Sequence, residues 1–184
     1  MRPLAIVALA FAVLAMPALG QNGNPAVMTP GTGADQPNNS DRNFARAAAA
    51  GGLAEVEFGK LAQQKAQSDA VKDFGGRMVE DHGKANDQLK ALAKKDAIPL
   101  PEKLDPEHKA IHDRLAGLSG AAFDQAYVQA QVADHQSTVQ LFEYEIGAGQ
   151  DVDLKSFASQ TLPVVLKHLE MAQHIQTDLA GKPE

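Results

Sequence analysis

The chain of 184 residues has no cysteine. That excludes disulfides, thiolate metal sites and a lipid-modified N-terminal Cys. Aromatic residues make up only 5%, so no platform for stacking bases is present. Positive charge is also short: 17 Lys and Arg face 23 Asp and Glu, for a net charge of −6. A phosphate backbone is held by clustered Lys and Arg, so nucleic acid is a poor partner. Beyond the first 20 residues no apolar run is long enough to span a bilayer, which takes about 20 residues. Nucleophile elbow, paired catalytic carboxylates and phosphate loop are all missing, which argues against an enzyme.

What is present is apolar content of 44%, led by alanine. Ala gives up no side-chain entropy in a helix, so the composition favours an all-α chain. The first 20 residues read as a secretory signal peptide. Arg2 supplies the positive start, Leu4 to Met16 the apolar run, and Ala18-Leu19-Gly20 the small residues a peptidase reads. Cleavage near Gly20 would leave a periplasmic or secreted protein with no transmembrane segment. Residues 21–40 are rich in Gly, Pro, Asn and Thr and read as a disordered linker. Residues 41–181 form the expected domain.

Four long helices are expected there, over 41–66, 69–96, 120–146 and 152–179, with a short one from Pro106 to about Leu118. Ser40 is a good N-cap for the first, Ser119 for the third and Asp151 for the fourth. Asp105-Pro106 begins the short helix, with Pro at its first position. Each long helix carries an inward row at steps of three and four. These rows are Phe44, Ala48, Gly51, Glu55, Phe58, Ala62; Val71, Phe74, Met78, His82, Ala85, Leu89; Val128, Val132, His135, Val139, Phe142; and Leu154, Phe157, Thr161, Val165, His168, Ala172. The Gly51-Gly52 pair allows a helix or ligand to come close. Pro163 should kink the last helix. His108 and His112, four apart, can pair on one face, although the charges around them favour a solvated surface.

Glu55, His82, His135 and His168 each occupy a core slot near a helix midpoint. With neighbouring helices antiparallel, they should meet within about 3 Å of height. Buried unpaired polar groups cost about 1–3 kcal/mol each, so something must satisfy them. One answer is a transition metal (zinc, iron, manganese or copper) on three imidazoles, with Glu55 as fourth ligand or as an acceptor for a ligating ring. The other is a closed hydrogen-bond network. Val79-Glu80-Asp81-His82 and Val132-Ala133-Asp134-His135 share a pattern in which each Asp points about 100° from its His. Such an Asp either orients a neighbouring His or faces water. Tyr127 and Asp124 either form a polar site or, for Tyr127, a core-edge position with its hydroxyl held by a neighbour.

The stretches Ala49-Ala50-Gly51-Gly52-Leu53-Ala54-Glu55-Val56-Glu57, Val71-Lys72-Asp73-Phe74, Met78-Val79-Glu80-Asp81-His82, Phe123-Asp124-Gln125-Ala126-Tyr127, Asp134-His135 and Thr161-Leu162-Pro163 with His168 carry a resemblance. From Phe44 to about Leu179 the chain resembles the bacterial secreted family of domain of unknown function 4142, in the ferritin-like superfamily. The resemblance implies a ferritin-like antiparallel four-helix bundle and an envelope location, and no particular activity. Di-iron ferritins use Glu-x-x-His on two helices. That spacing is absent here, so a ferritin-type di-iron site is not expected. Three functions remain open. One is an envelope protein that binds a transition metal. Another is a non-enzymatic interaction module for envelope stress tolerance, with a metal-free polar core. The third is hydrolysis, with Glu55 as base for a metal-bound water. The protein partner and the oligomeric state are not legible.

Overall fold

The computed structural model describes residues 36–181. The signal segment and the linker up to residue 35 lie outside the described residues. Among the described residues there are five helices and no strand: α1 Asn39–Lys65, α2 Asp69–Lys95, α3 Pro106–Ala116, α4 Gly120–Ala148 and α5 Val152–Ala180. None is long and apolar enough to cross a membrane.

The helix starts show what local chemistry decides. Asn38, not Ser40, caps α1. Its side chain accepts from Ser40 N at 2.6 Å and Asp41 N at 3.0 Å, while Asp41 accepts from Asn38 N at 2.7 Å. This reciprocal box satisfies more free N–H groups than a lone Ser40 would, so the helix begins inside the expected linker. Asp41 also accepts from Gln150 N at 2.8 Å and Asp151 N at 3.3 Å, tying the α4–α5 turn to α1. Asp105 caps α3 through His108 N, and Asp151 caps α5 through Leu154 N. α2 and α4 differ: Ser68 and Ser119 make no side-chain cap bond. Buried Asp124 of α4 instead accepts from Gln67 N at 3.0 Å and Ser68 N at 2.8 Å, so the turn that leads into α2 is held from another helix. α5 continues as a helix through Pro163.

Every neighbouring pair of long helices is antiparallel. Gly52 lies against Asn86 and Gly59 against Gly75 between α1 and α2. Phe44 meets Phe142, and Glu55 meets Gln131, between α1 and α4. His135 meets His168, and Phe142 meets Phe157, between α4 and α5. His168 meets Asp81, and Asp153 meets Lys95, between α5 and α2. α2 and α4 therefore run the same way, and the chain between them must return along the bundle, about 40 Å for a helix of 27 residues. α3 lies in that crossover and packs against α1 and α4.

The core has two apolar halves. One contains Phe58, Phe74, Met78, Phe123, Tyr127 and Ile175. The other contains Phe44, Leu89, Ile98, Phe142, Leu154 and Phe157. The residues expected to meet at the helix midpoints lie between them. α1 and α2 approach so closely that a Cβ on Gly75 would stand 2.6 Å from Ala62 Cβ and 2.9 Å from Gly59 O. Only glycine fits there.

Candidate metal centre

His82 comes from α2, His135 from α4 and His168 from α5. Antiparallel neighbours of similar length put helix midpoints at one height, so the three rings share a layer. Their centroids are 5.6 Å apart for His82–His135, 5.4 Å for His82–His168 and 5.6 Å for His135–His168. Phe74 packs against the rings of His135, at 6.5 Å, and His168, at 6.4 Å, closing the layer on the side of the first apolar half. One nitrogen from each ring lies within 4.8 Å of the other two.

The outward nitrogens set the tautomers of His135 and His168. His135 Nδ1 lies 3.0 Å from the Gln131 carbonyl oxygen. That oxygen can only accept, so Nδ1 carries the proton and Nε2 a lone pair. His168 Nε2 lies 3.0 Å from the Asp81 carboxylate, which likewise draws the proton to Nε2 and leaves Nδ1 bare. His82 Nε2, His135 Nε2 and His168 Nδ1 are all buried with no hydrogen-bond partner among the described residues. Burial pushes His82 down to about 3, helped by the neighbouring imidazoles of His135 and His168. It pushes His135 down to about 4, against the pull of Asp134. His168 is also lowered by burial, with Asp81 opposing. At neutral pH the rings are neutral and offer lone pairs.

Glu55 is not part of that triangle. Its Oε2 accepts from Gln131 Nε2 at 2.6 Å, and its Oε1 lies 3.9 Å from His135 Nδ1, the face of the ring turned away from the other two histidines. Glu55, Asp134 and His135 form a separate group of donors within 4.8 Å of one another. Burial, then the charge of Asp134, holds the Glu55 carboxyl well above the usual carboxylate range. Gln131 was invisible as a site residue in the sequence, because a lone Gln at a helical position usually faces water. Here it is fully buried and serves both Glu55 and, through its carbonyl, His135.

The paired Asp-His motifs divide their labour across helices. Asp81 orients His168 of α5 rather than adjacent His82. Asp134 faces α3, where His108 Nε2 stands 3.9 Å from it and His108 Nδ1 2.6 Å from Asp105. Asp134 and Asp105 outweigh burial and push His108 up to about 9. His108 is thus a mostly buried imidazolium that docks α3 on α4, not part of a solvated face. His112 sits beside Asp113. Tyr127 and Asp124 do not form a site. Asp124 holds the α1–α2 turn, and the Tyr127 hydroxyl, expected to bond a neighbour, is buried with no partner among the described residues.

The donor set fits a metal ion. Two inward lone pairs, on His135 Nε2 and His168 Nδ1, face His82 Nε2, and none of the three nitrogens has a hydrogen-bond partner among the described residues. A cation at their centre would use one nitrogen of each ring, with the outward nitrogens of His135 and His168 already held as ligating imidazoles require. The set is all nitrogen and carries no charge, with the nearest carboxylate set to one side.

Solved structures support the fold. A DUF305 fragment from Deinococcus radiodurans superposes with a TM-score of 0.69 at 12% identity, over 78% of this chain and 99% of that one. CopM in its Cu(I)-bound form gives 0.65 at 13% identity, over 77% and 98%. CopM in its Ag-bound form gives 0.64 at 15%, over 77% and 98%. No curated protein matches the sequence. A family model described as a domain of unknown function, DUF4142, matches residues 26–175, and the chain belongs to that family.

Proposed function

We propose that this protein binds one transition-metal ion, Cu(I) foremost, through His82 Nε2, His135 Nε2 and His168 Nδ1, and serves to hold or hand on that ion outside the cytoplasm. The observation that carries this reading is the convergence of three buried imidazole nitrogens that have no hydrogen-bond partner among the described residues. A structural network would be expected to close on itself. This one closes on its outer side, at Gln131 and Asp81, and stays open at its centre.

Cu(I) suits the set for a physical reason. No anionic donor joins the three nitrogens, and burying a divalent charge without one carries a larger desolvation cost than burying a monovalent charge. Structural zinc sites take four ligands. The CopM structures with Cu(I) and Ag share the fold, which adds support. Glu55 then serves beside the site rather than as a ligand. Export by the N-terminal segment, with a mature start at Gln21, completes the reading.

The test is elemental analysis of untagged protein purified from its native compartment, followed by titration with Ag(I). We expect close to one equivalent per chain, abolished in the His82→Ala, His135→Ala double variant. A protein that carries no metal and takes up no Ag(I), and whose double variant is only less stable, would make the centre a structural polar core. The function would then lie on the surface, as an interaction module.

A further inference from the structure

An ion bound to these nitrogens has to reach a layer closed by apolar packing. A cavity of about 40 Å³ adjoins the centre. Its walls include His82, Glu55 and Asp134 inside, and Ala47, Gly51 and Thr138 towards the α1–α4 surface. Ala47 is exposed, and Gly51 and Thr138 are half-buried. A single water needs about 10–15 Å³, so the cavity has room for an ion with a water or two. Two atoms of its lining residues point to a cation: Glu55 Oε1 and His82 Nε2 are buried with no partner among the described residues.

The two adjacent glycines have different roles. A Cβ on Gly52 would collide with the Asn86 side chain, so helix packing accounts for that residue. A Cβ on Gly51 would meet nothing within 4 Å. Glycine is disfavoured inside a helix, and no neighbour here requires it. What it leaves is open space on the line from the surface to Glu55.

We propose that the α1–α4 seam at Gly51 is the port through which the cation reaches the three histidines, with Glu55 the first donor it meets inside. This rests on the metal reading above. A port alters how fast an ion enters and leaves, not where the equilibrium lies. Filling it should therefore slow both rates by the same factor.

The experiment follows Ag(I) transfer from a weak chromophoric chelator to the intact protein by stopped-flow absorbance. Wild type is compared with Gly51→Leu, Glu55→Gln and, as control, Gly147→Leu, whose Cβ also meets nothing within 4 Å but which is exposed and lies off the cavity. Gly51→Leu should load and release Ag(I) about tenfold more slowly at unchanged Kd, a range that on-rates of related variants commonly span. Glu55→Gln should also load slowly at near-normal Kd, and Gly147→Leu should match wild type. Loading of Gly51→Leu at the wild-type rate, or a change in its Kd as large as in its rate, overturns the port. Collapse of affinity in Glu55→Gln would make Glu55 a ligand and overturn its place on the route. If wild type itself takes up no Ag(I), both this inference and the metal reading fall.

Discussion

Asp81 and Gln131 hold their imidazoles by the nitrogens that face away from the centre, and that is where single residues decide the chemistry. Asp81→Ala leaves His168 free to rotate and to place its proton on either nitrogen. Loss of such a partner commonly costs 10–100-fold in metal affinity. We expect a loss of that size for Ag(I), with helix content unchanged by circular dichroism. His108 makes a pH prediction. Its ordinary value is 6.5 and the folded state raises it to about 9, because Asp134 and Asp105 favour the charged ring. The folded state then binds the extra proton more tightly. The stabilisation is complete below about 6.5 and is lost as pH rises towards 9. Allowing for solvent screening, its size is on the order of 1 kcal/mol. Urea unfolding from pH 6 to 10 should show this decline in wild type and a flatter profile in His108→Gln. The charge pattern around His108 reads as a solvated face in sequence. Asp134, 26 residues further on, supplies the second carboxylate, and no local pattern could reveal that.

At the scale of helices, the α1–α2 contact depends on bare backbone. Gly75→Ala places a Cβ 2.6 Å from Ala62 Cβ and 2.9 Å from Gly59 O, so the helices must part. Overpacking of this kind costs about 1–3 kcal/mol, more than the roughly 1 kcal/mol gained in helix propensity. Gly83→Ala on the same helix meets nothing within 4 Å and should be stabilising. Opposite shifts of the urea midpoint in the two variants would verify this. The elements themselves were legible because their rows repeat at helical spacing and their ends carry Asp, Ser, Pro and Gly. The first cap was misplaced because Ser40 matches the single-residue rule, while Asn38 and Asp41 satisfy two sets of N–H groups together. The anchor of the α1–α2 turn was not legible, since Asp124 lies more than 50 residues away in sequence.

Across the whole molecule, the polar layer is a waist between two apolar halves. An ion that binds only the folded chain stabilises it by about 2.7 kcal/mol at a hundredfold excess over Kd. For a domain of this size that corresponds to a rise in Tm of about 5–10 °C. Calorimetry with and without Ag(I) should show the rise, a strong chelator should remove it, and the His82→Ala, His135→Ala variant should lack it.

Sequence alone determined the helical class, the number of long helices and the heights of His82, His135, His168 and Glu55. All of these follow from periodicity and rise per residue, which are local. Only tertiary structure decided which of the four converge. Spacing along a helix sets height to within a residue or two, but the direction of a ring nitrogen depends on what holds its far side. Gln131 and Asp81 turn two imidazoles inward, and the Gln131 amide draws Glu55 to the other face of His135. Those partners sit on other helices or hide as ordinary polar residues. The candidate centre was therefore legible as four residues in a layer, and became three nitrogens around a point only once the helices were packed.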